Sequence, residues 1–325
     1  MNLGNGSIQL TNLSHIGIAV KDAAKTIEFL SSIWNIGPPE VFDYYPKPEE
    51  MFHGEAFGVK LVFIKFGVVQ LELLQPLDNK SIWAKFIEED QSMGQMWHEL
   101  NNRRQYDKTI SYTECHDQCI NGDDAFIWRM IKEDMHEHMS VFSDSWKCSR
   151  GVALHKLMRF VTLAAAGHGW LNFMGNEFGH PEWIDDEDYA HRQWHLAEAM
   201  HLKYSKLGVF DRHLLKLVQE HLGQFRRWPY FRYIHEEDRI LAFERGRLLF
   251  VFNFHELQAR NHLTLMVTPG KYTEIFSSDE LAYAGHGNLS ARAAGEHFSD
   301  PASGTFEQRI TLYVPPLTGL ALVRG

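Results

Sequence analysis

The chain has 325 residues and a formal net charge of −10, and 44% of its residues are apolar, 13% aromatic and 23% charged. A chain of this length has room for two or three domains of roughly 100–200 residues, and its composition is that of a folded globular protein. The basic residues are scattered along the chain, which argues against nucleic acid as a partner.

Three further features predict a cytoplasmic protein without a membrane partner. No apolar run reaches the ~20 residues that cross a bilayer. The first 13 residues contain no Lys or Arg, so they do not form an ordinary signal peptide. Cys115, Cys119 and Cys148 are an odd number without a CxxC pair, which favours a reducing compartment.

The N-terminal elements follow the order βαβββ. The pattern predicts a strand at residues 13–20 and a helix capped by Asp22 that runs to about residue 34. Three strands follow at 40–45, 56–66 and 68–74, and a short helix is predicted at 81–88. The acidic run at 88–90 marks the end of this first domain, residues 1–88.

The remainder of the chain changes from α/β to all-β. A strand at 108–113, helices at 124–139 and 149–166, a strand at 170–174, and helices at 189–202 and 211–222 suggest parallel βα units. Six strands, predicted at 239–244, 248–254, 263–267, 272–276, 306–314 and 319–323, indicate a β-sandwich. The expected fold class is therefore multidomain α/β plus all-β, with a second domain at 89–222 and a third at 223–325.

Two residues of the first domain are candidate metal ligands. His15 lies in the first strand, and Glu72 is a carboxylate among leucines in the fourth. Imidazole plus carboxylate suits zinc, cobalt, manganese or nickel. The alternative is that backbone groups satisfy His15 and that Glu72 lies on a solvated sheet face.

Residues 12–88 resemble the first half of methylmalonyl-CoA epimerase, of the vicinal oxygen chelate or glyoxalase-like superfamily. The resemblance rests on the segments at 13–22, 58–63, 71–77 and 81–86. It implies that His15 and Glu72 are one of two ligand pairs for a divalent metal that stabilises an enolate. The second pair is absent from the chain, so a complete site requires a homodimer through this module.

Two further candidate sites follow predicted parallel strands, where barrel enzymes place their chemistry. His116 and Asp117 come after the strand at 108–113, and could bind sugar hydroxyls or form a helix-capping turn. The loop at 173–183 contains Asn176, Glu177, His180 and Trp183, the side-chain types of a carbohydrate cleft. The alternative is a structural loop whose Trp183 covers the core.

From about residue 90 to the C-terminus the chain resembles α-1,4-glucan branching enzyme of the α-amylase superfamily. The segments that carry the resemblance are 96–98, 102–104, 109–118, 121–123, 150–159, 173–183, 192–194 and 250–254. The resemblance implies an α-glucan (glycogen or amylose) substrate, no cofactor, and Asp117 as the carboxylate that stabilises the transition state. His116 becomes a substrate-binding neighbour, and Glu177 and His180 lie on the rim of the cleft.

The nucleophilic Asp and the acid Glu of that family have no matching motif in this sequence. Retaining glycosyl transfer needs two carboxyl groups about 5–5.5 Å apart, and residues 90–215 supply only the last two strands of a (β/α)₈ barrel. The first hypothesis is therefore a catalytically incomplete relative of the glycogen-branching enzymes. The others are a non-catalytic glucan-binding protein and a homodimeric metal enzyme of epimerase or lyase type.

Overall fold

The computed structural model describes residues 15–19, 23–33, 36, 38–44, 59–66, 69–76, 92–104, 108–115, 124–181, 184–186, 189–289, 295–301 and 308–325. The chain divides into two compact units, residues 1–85 and 86–325. None of the described helices is long and apolar enough to span a membrane.

The first unit has the predicted βαβββ order. It consists of β1 (His15–Ala19), α1 (Ala23–Ile33), β2 (Glu40–Tyr44), β3 (Val59–Phe66) and β4 (Val69–Pro76). The strands form one sheet in the order β1-β4-β3-β2, in which β1 is parallel to β4 and the other pairs are antiparallel. A small core of Ala23, Val62 and Ile64 lies between helix and sheet. The helix predicted at 81–88 lies outside the described residues.

The helices of the second unit precede its main sheet in the chain. They are α2 (Met93–Asn101), α3 (Phe126–Ile131), α4 (Asp134–Glu137), α5 (Trp146–Ala165), α6 (Trp194–Glu198), α7 (Lys203–Glu220) and α8 (Leu222–Phe225). Four short strands lie among them: β5 (Ile110–Ser111), β6 (Gly169–Trp170), β7 (Ile184–Asp186) and β8 (Tyr189–His191).

Helix α2 belongs structurally to the second unit. Its N-terminal N–H groups, on Met93 and Gly94, donate to the carboxylate of Glu236 at 2.7 and 2.8 Å. A carboxylate at this position satisfies orphan donors and complements the helix dipole. The ring of Trp97 packs against Phe243 with a centroid separation of 5.0 Å. This helix was not predicted from the sequence.

Helix α5 is buried on nearly all sides, and Ser145 caps its N terminus by accepting the Cys148 N–H. A helix surrounded by protein needs partners for its polar side chains. Lys156 donates to the carbonyls of Ser278 and Tyr283, at 2.6 and 3.0 Å. Arg159 pairs with Asp211 of α7. The apolar residues of α5 can therefore serve as one side of the core.

The C-terminal part is the predicted sandwich. One sheet has the order β14-β13-β17-β11-β10-β9 and the other β12-β16-β15. The strands are β9 (Tyr230–His235), β10 (Ile240–Arg245), β11 (Leu248–Asn253), β12 (Arg260–Val267), β13 (Lys271–Ser277), β14 (Glu296–Phe298), β15 (Asp300–Pro301), β16 (Gln308–Val314) and β17 (Thr318–Arg324).

Both faces of the six-stranded sheet are covered. Every residue of β10 and β11 is buried, because one face packs on the smaller sheet and the other on α5. Phe160 of α5 contacts Phe250, Phe252 and Phe276, with ring centroids 5.9, 5.0 and 5.0 Å away. A strand with two buried faces needs no polar alternation, which explains the continuous apolar run of β11.

Two helices predicted for this unit differ from those in the structure. A single helix at 189–202 does not form, because Tyr189–His191 pairs as β8 with β7 in an antiparallel hairpin and α6 covers only Trp194–Glu198. The helix predicted at 124–139 is divided by Lys132, whose φ is +57°. No closed barrel forms among the described strands, as the sequence analysis expected.

Candidate active site

The candidate site begins with a pair of parallel strands. Ile110 of β5 lies opposite Gly169 of β6, and Ser111 lies opposite Trp170. The Leu171 N–H donates to the Ser111 carbonyl at 2.9 Å, so the pairing continues one residue further. Since the two strands are parallel, their carboxyl ends lie at one edge, and both predicted site segments leave the strands there.

Glu114 joins the two segments at this edge. It is 2% exposed, and its Oε1 accepts a hydrogen bond from the side-chain amide of Asn176. Its Oε2 accepts the N–H of Phe126, the first residue of α3, at 2.7 Å. A buried carboxylate is tolerated when its oxygens are hydrogen-bonded in this way. Glu114 therefore holds the loop after β6 against the segment after β5.

Two glycines shape the loop that carries Asn176 and Glu177. Gly175 and Gly179 have φ of +107° and +70° and flank a 3₁₀ turn at Asn176–Phe178. A Cβ at Gly175 would lie 1.9 Å from Nη1 of Arg192, so the position also needs the space. Oε2 of Glu177 accepts the Gly175 N–H at 2.5 Å, and this half-buried carboxylate lies at the rim of the loop.

His180 is buried and neutral. Its Nε2 accepts the N–H of Gln193 at 3.0 Å, which places the ring proton on Nδ1. Burial disfavours the imidazolium, and the nearby charge of Arg192 adds to that effect, so the pKa of His180 is lowered to about 4. The ring thus serves as a hydrogen-bond acceptor at neutral pH.

A buried ion pair supports the start of the same loop. Asn172, two residues beyond β6, accepts from Arg159 at 3.0 Å and donates to Asp211 at 3.1 Å. Arg159 also pairs directly with Asp211, and both side chains are almost completely buried. Helices α5 and α7 thereby fix the backbone that leaves β6.

The rim of the site carries an exposed aromatic ring. Trp194 is 49% exposed and packs against Phe178 with a centroid separation of 5.5 Å. Tyr112, just after β5, is 45% exposed. Exposed aromatic rings offer faces on which sugar rings can stack, and neither residue was predicted from the sequence as a site residue.

The structure brings three of the predicted residues into one loop, Asn176, Glu177 and His180. The side chains of Asn176 and His180 face protein partners, and their contact with a sugar stays a prediction. His116, Asp117 and Trp183 lie outside the described residues. In the sequence the first two directly follow Cys115.

The two predicted metal ligands of the first unit, His15 and Glu72, lie on neighbouring strands. In the parallel pairing of β1 with β4, His15 is opposite Gln70 and Glu72 is opposite Gly17. The register therefore places His15 and Glu72 two positions apart on neighbouring strands. Within the described ranges, no group of three or more His, Cys, Asp or Glu residues could hold a metal ion.

Comparisons with known proteins give two matches, one for each end of the chain. Residues 233–325 match the alpha amylase C-terminal all-beta domain, and residues 14–99 match the Glyoxalase/Bleomycin resistance protein/Dioxygenase superfamily. The 1,4-alpha-glucan-branching enzyme of Equus caballus is 37% identical over 249 residues, which are 73% of this chain. The C-terminal part of the chain is homologous to branching enzymes.

Relatives from other kingdoms agree. The enzyme of Solanum tuberosum is 38% identical over 67% of this chain, and that of Dictyostelium discoideum is 34% identical over 74%. A crystal structure of alpha-amylase from H. orenii aligns with a TM-score of 0.37 at 14% identity, over 66% of this chain and 40% of that one. The chain spans 35%, 27% and 37% of the horse, potato and Dictyostelium enzymes.

The resemblances stated from the sequence are thereby confirmed. The glyoxalase match extends through residue 99 and so includes most of α2, whose contacts are with the second unit. We attribute α2 to the branching-enzyme part on the basis of those contacts.

Proposed function

We propose that the edge built from β5 and β6 is the remaining part of an α-glucan active site of branching-enzyme type. The observation that carries the proposal is the identity to 1,4-alpha-glucan-branching enzymes over the residues that form this edge. The reaction is the transfer of an α-1,4-glucan segment to make an α-1,6 branch, as in glycogen. The substrate is an α-glucan such as amylose or glycogen.

The 325 residues by themselves are proposed to be inactive in this transfer. Asp117, by resemblance the stabilising carboxylate, needs an attacking carboxylate and a protonating carboxyl beside it. Glu114 supplies neither, because protein donors occupy both of its oxygens and it is buried. Glu177 is tied to Gly175 at the rim and is a candidate for hydroxyl binding.

The test is an iodine-stain assay of purified protein with amylose. We expect no time-dependent loss of the amylose–iodine colour, whereas a branching enzyme as positive control removes it. Progressive loss of colour, abolished by Asp117→Asn, would contradict the proposed inactivity and establish a branching activity in this chain.

A second candidate function, glucan binding without catalysis, is favoured by the exposed ring of Trp194 beside the loop. Affinity electrophoresis in glycogen gels measures it directly. We expect retardation of the protein and a clear loss of retardation for Trp194→Ala, since stacking of a ring on a sugar is lost. Trp146→Ala is the matched control, because Trp146 is 47% exposed and lies at the start of α5, outside both proposed sites. Equal mobility of the protein in gels with and without glycogen would contradict binding.

For the first unit we propose a divalent metal, zinc, cobalt, manganese or nickel, held by His15 and Glu72. Two protein ligands hold a metal weakly, so a second copy of the chain is proposed to supply the other pair. Metal content per chain should fall in His15→Ala and stay unchanged in His168→Ala, which alters an exposed histidine of the second unit. Equal metal content in all three proteins would contradict the site.

We also propose that the protein is located in the cytoplasm. The thiols of Cys115 and Cys148 are buried and not part of a disulfide bond, which suits a reducing compartment.

A further inference from the structure

A second pocket lies at the opposite end of the parallel strands. Gly167 and His168 come immediately before β6, and with residues around α8 they line a cavity of about 480 Å³. Cavities of roughly 300–1,000 Å³ hold small molecules. The pocket is separate from the loop edge, since it lies at the amino ends of β5 and β6, whereas Glu114 and Asn176 lie beyond their carboxyl ends.

The lining is strongly basic. Four arginines and a histidine contribute to it, and none of the described lining residues is acidic. The four are Arg103, Arg226, Arg227 and Arg245. The positive charges around this cavity repel each other, and a bound anion would offset that repulsion.

Two of the arginines are fixed in place. Arg245 is buried and donates to four carbonyls, among them Ala164 at 2.7 Å and Arg227 at 2.8 Å. Arg103 donates to the Ala165 carbonyl at 2.6 Å and lies 4.7 Å over the ring of Trp228. Carbonyl acceptors hold a guanidinium but do not cancel its charge.

Burial next to a second guanidinium lowers the basicity of Arg245. Burial disfavours the charged form of Arg245, and the neighbouring guanidinium of Arg103 opposes it further, so the pKa of Arg245 is lowered to about 10. An anion bound in the pocket would offset both the burial of the charged Arg245 side chain and its repulsion from Arg103.

The other two arginines are available to a ligand. Arg226 and Arg227 follow the C terminus of α8 and are exposed, and neither guanidinium forms an ion pair with any residue that the structure describes. The guanidinium fork matches phosphate oxygens in a bidentate fashion. The C terminus of α8 also favours cations, but that effect does not account for the buried pair behind them.

We propose that this pocket, formed by Arg103, Arg226, Arg227, Trp228 and Arg245, binds a phosphate-bearing small molecule. Arg226 and Arg227 contact the phosphoryl oxygens, while Arg103 and Arg245 supply a fixed positive field behind them. The site requires neither the glucan activity nor the metal site.

Isothermal titration calorimetry of the full chain tests the proposal with three probes, inorganic phosphate, glucose 1-phosphate and glucose. We expect both phosphate-bearing probes to bind and glucose not to bind. Comparison of the affinities for inorganic phosphate and glucose 1-phosphate shows whether the phosphoryl group alone is sufficient for binding or the pocket also recognises the sugar. The double variant R226Q/R227Q should weaken binding at least tenfold. Both side chains are exposed, so the fold should tolerate it, which a circular dichroism melt checks.

Arg309→Gln is the matched control, since Arg309 is exposed and lies on β16 of the sandwich. It should leave phosphate binding unchanged. Equal affinity of R226Q/R227Q and the unmodified chain, binding of glucose as strong as that of glucose 1-phosphate, or no detectable binding of either phosphate probe would overturn the proposal.

Discussion

The two parallel strands of the second unit and the antiparallel sheet beside them differ in how fully they are covered. Strands β10 and β11 have six residues each, all buried, whereas β5 and β6 have two residues each and Ile110 of β5 is 65% exposed. The sheet has apolar partners on both faces. The strand pair is held largely by hydrogen bonds among Glu114, Asn176, Asn172, Arg159 and Asp211.

The parallel pair β5 and β6 is therefore kept in place by helix α5 more than by contacts between its own two strands. Helix α5 packs its apolar face on the complete sheet and presents Arg159 to the segment after β6. Parallel strands are ordinarily covered on both faces, whereas in this pair Ile110 is 65% exposed. Substitutions that remove the apolar contact and substitutions that remove the polar contacts should therefore change the free energy of unfolding by different amounts.

The largest expected effect comes from Phe160→Ala. The ring is fully buried against three phenylalanines of the sheet, so its removal should lower the free energy of unfolding by about 3–5 kcal/mol. Urea unfolding followed by circular dichroism measures the loss. Phe142→Ala is the control, because Phe142 is 89% exposed and should change stability by less than about 0.5 kcal/mol. A loss below about 1 kcal/mol for Phe160→Ala would show that α5 does not depend on the sheet.

Glu114→Ala should have the next largest effect. It leaves the Phe126 N–H and the Asn176 amide without their buried acceptor, which should cost about 2–3 kcal/mol in the free energy of unfolding. The same urea experiment applies. Hydrogen exchange at Phe126 should also accelerate. Unchanged exchange and stability would mean that the two segments are held together by other contacts.

Gly175→Ala and Gly223→Ala should change stability in opposite directions. Alanine at position 175 requires φ of +107° and meets Arg192, so we expect a loss of about 2 kcal/mol. Gly223 lies in α8 with nothing within 4 Å of its added Cβ, so alanine there should stabilise by roughly 0.5–1 kcal/mol. Thermal melts of the two variants give the signs. A stabilised Gly175→Ala protein would contradict the loop geometry.

The smallest effect is a change in pH dependence. The pKa of His180 is lowered to about 4 in the folded protein. Between pH 6.5 and 4 the unfolded protein therefore binds more protons at this residue than the folded protein does. This contribution to stability is complete above pH 6.5 and is lost as the pH falls towards 4. Urea unfolding at several pH values should therefore show a shallower decline for His180→Gln than for the unmodified chain. His195→Gln, which alters an exposed ring, should leave the decline unchanged. Parallel pH profiles for His180→Gln and the unmodified chain would contradict a neutral buried ring.

Elements with strong local signals were predicted well. The helix predicted at 149–166 is Trp146–Ala165, and the six predicted strands of the sandwich are all present, four of them within one residue at each end. Long apolar runs bounded by turn residues indicate their secondary structure from the local sequence alone. The start of α5 was missed by three residues because its N-cap, Ser145, lies in a polar stretch.

The remaining features depend on contacts distant in the sequence. The hairpin of β7 and β8 replaces a predicted helix, because a strand's pairing partner leaves no local periodic signal. Asn172 and Asp211 meet across 39 residues, and Glu114 meets Asn176 across 62. Asn176, Glu177 and His180 could be proposed from residue type and position after a strand. Their buried partners could not.

The most direct test of the central claim is a measurement of α-1,6 linkages formed from amylose by the purified chain. Proton NMR separates the anomeric signals of α-1,6 and α-1,4 linkages, so new branches are counted without a dye. We predict no increase in the α-1,6 signal over hours with the 325-residue protein, while glycogen still binds it. A steady rise in that signal, absent in Asp117→Asn, would contradict the proposal that the chain carries one of the three required carboxyl groups.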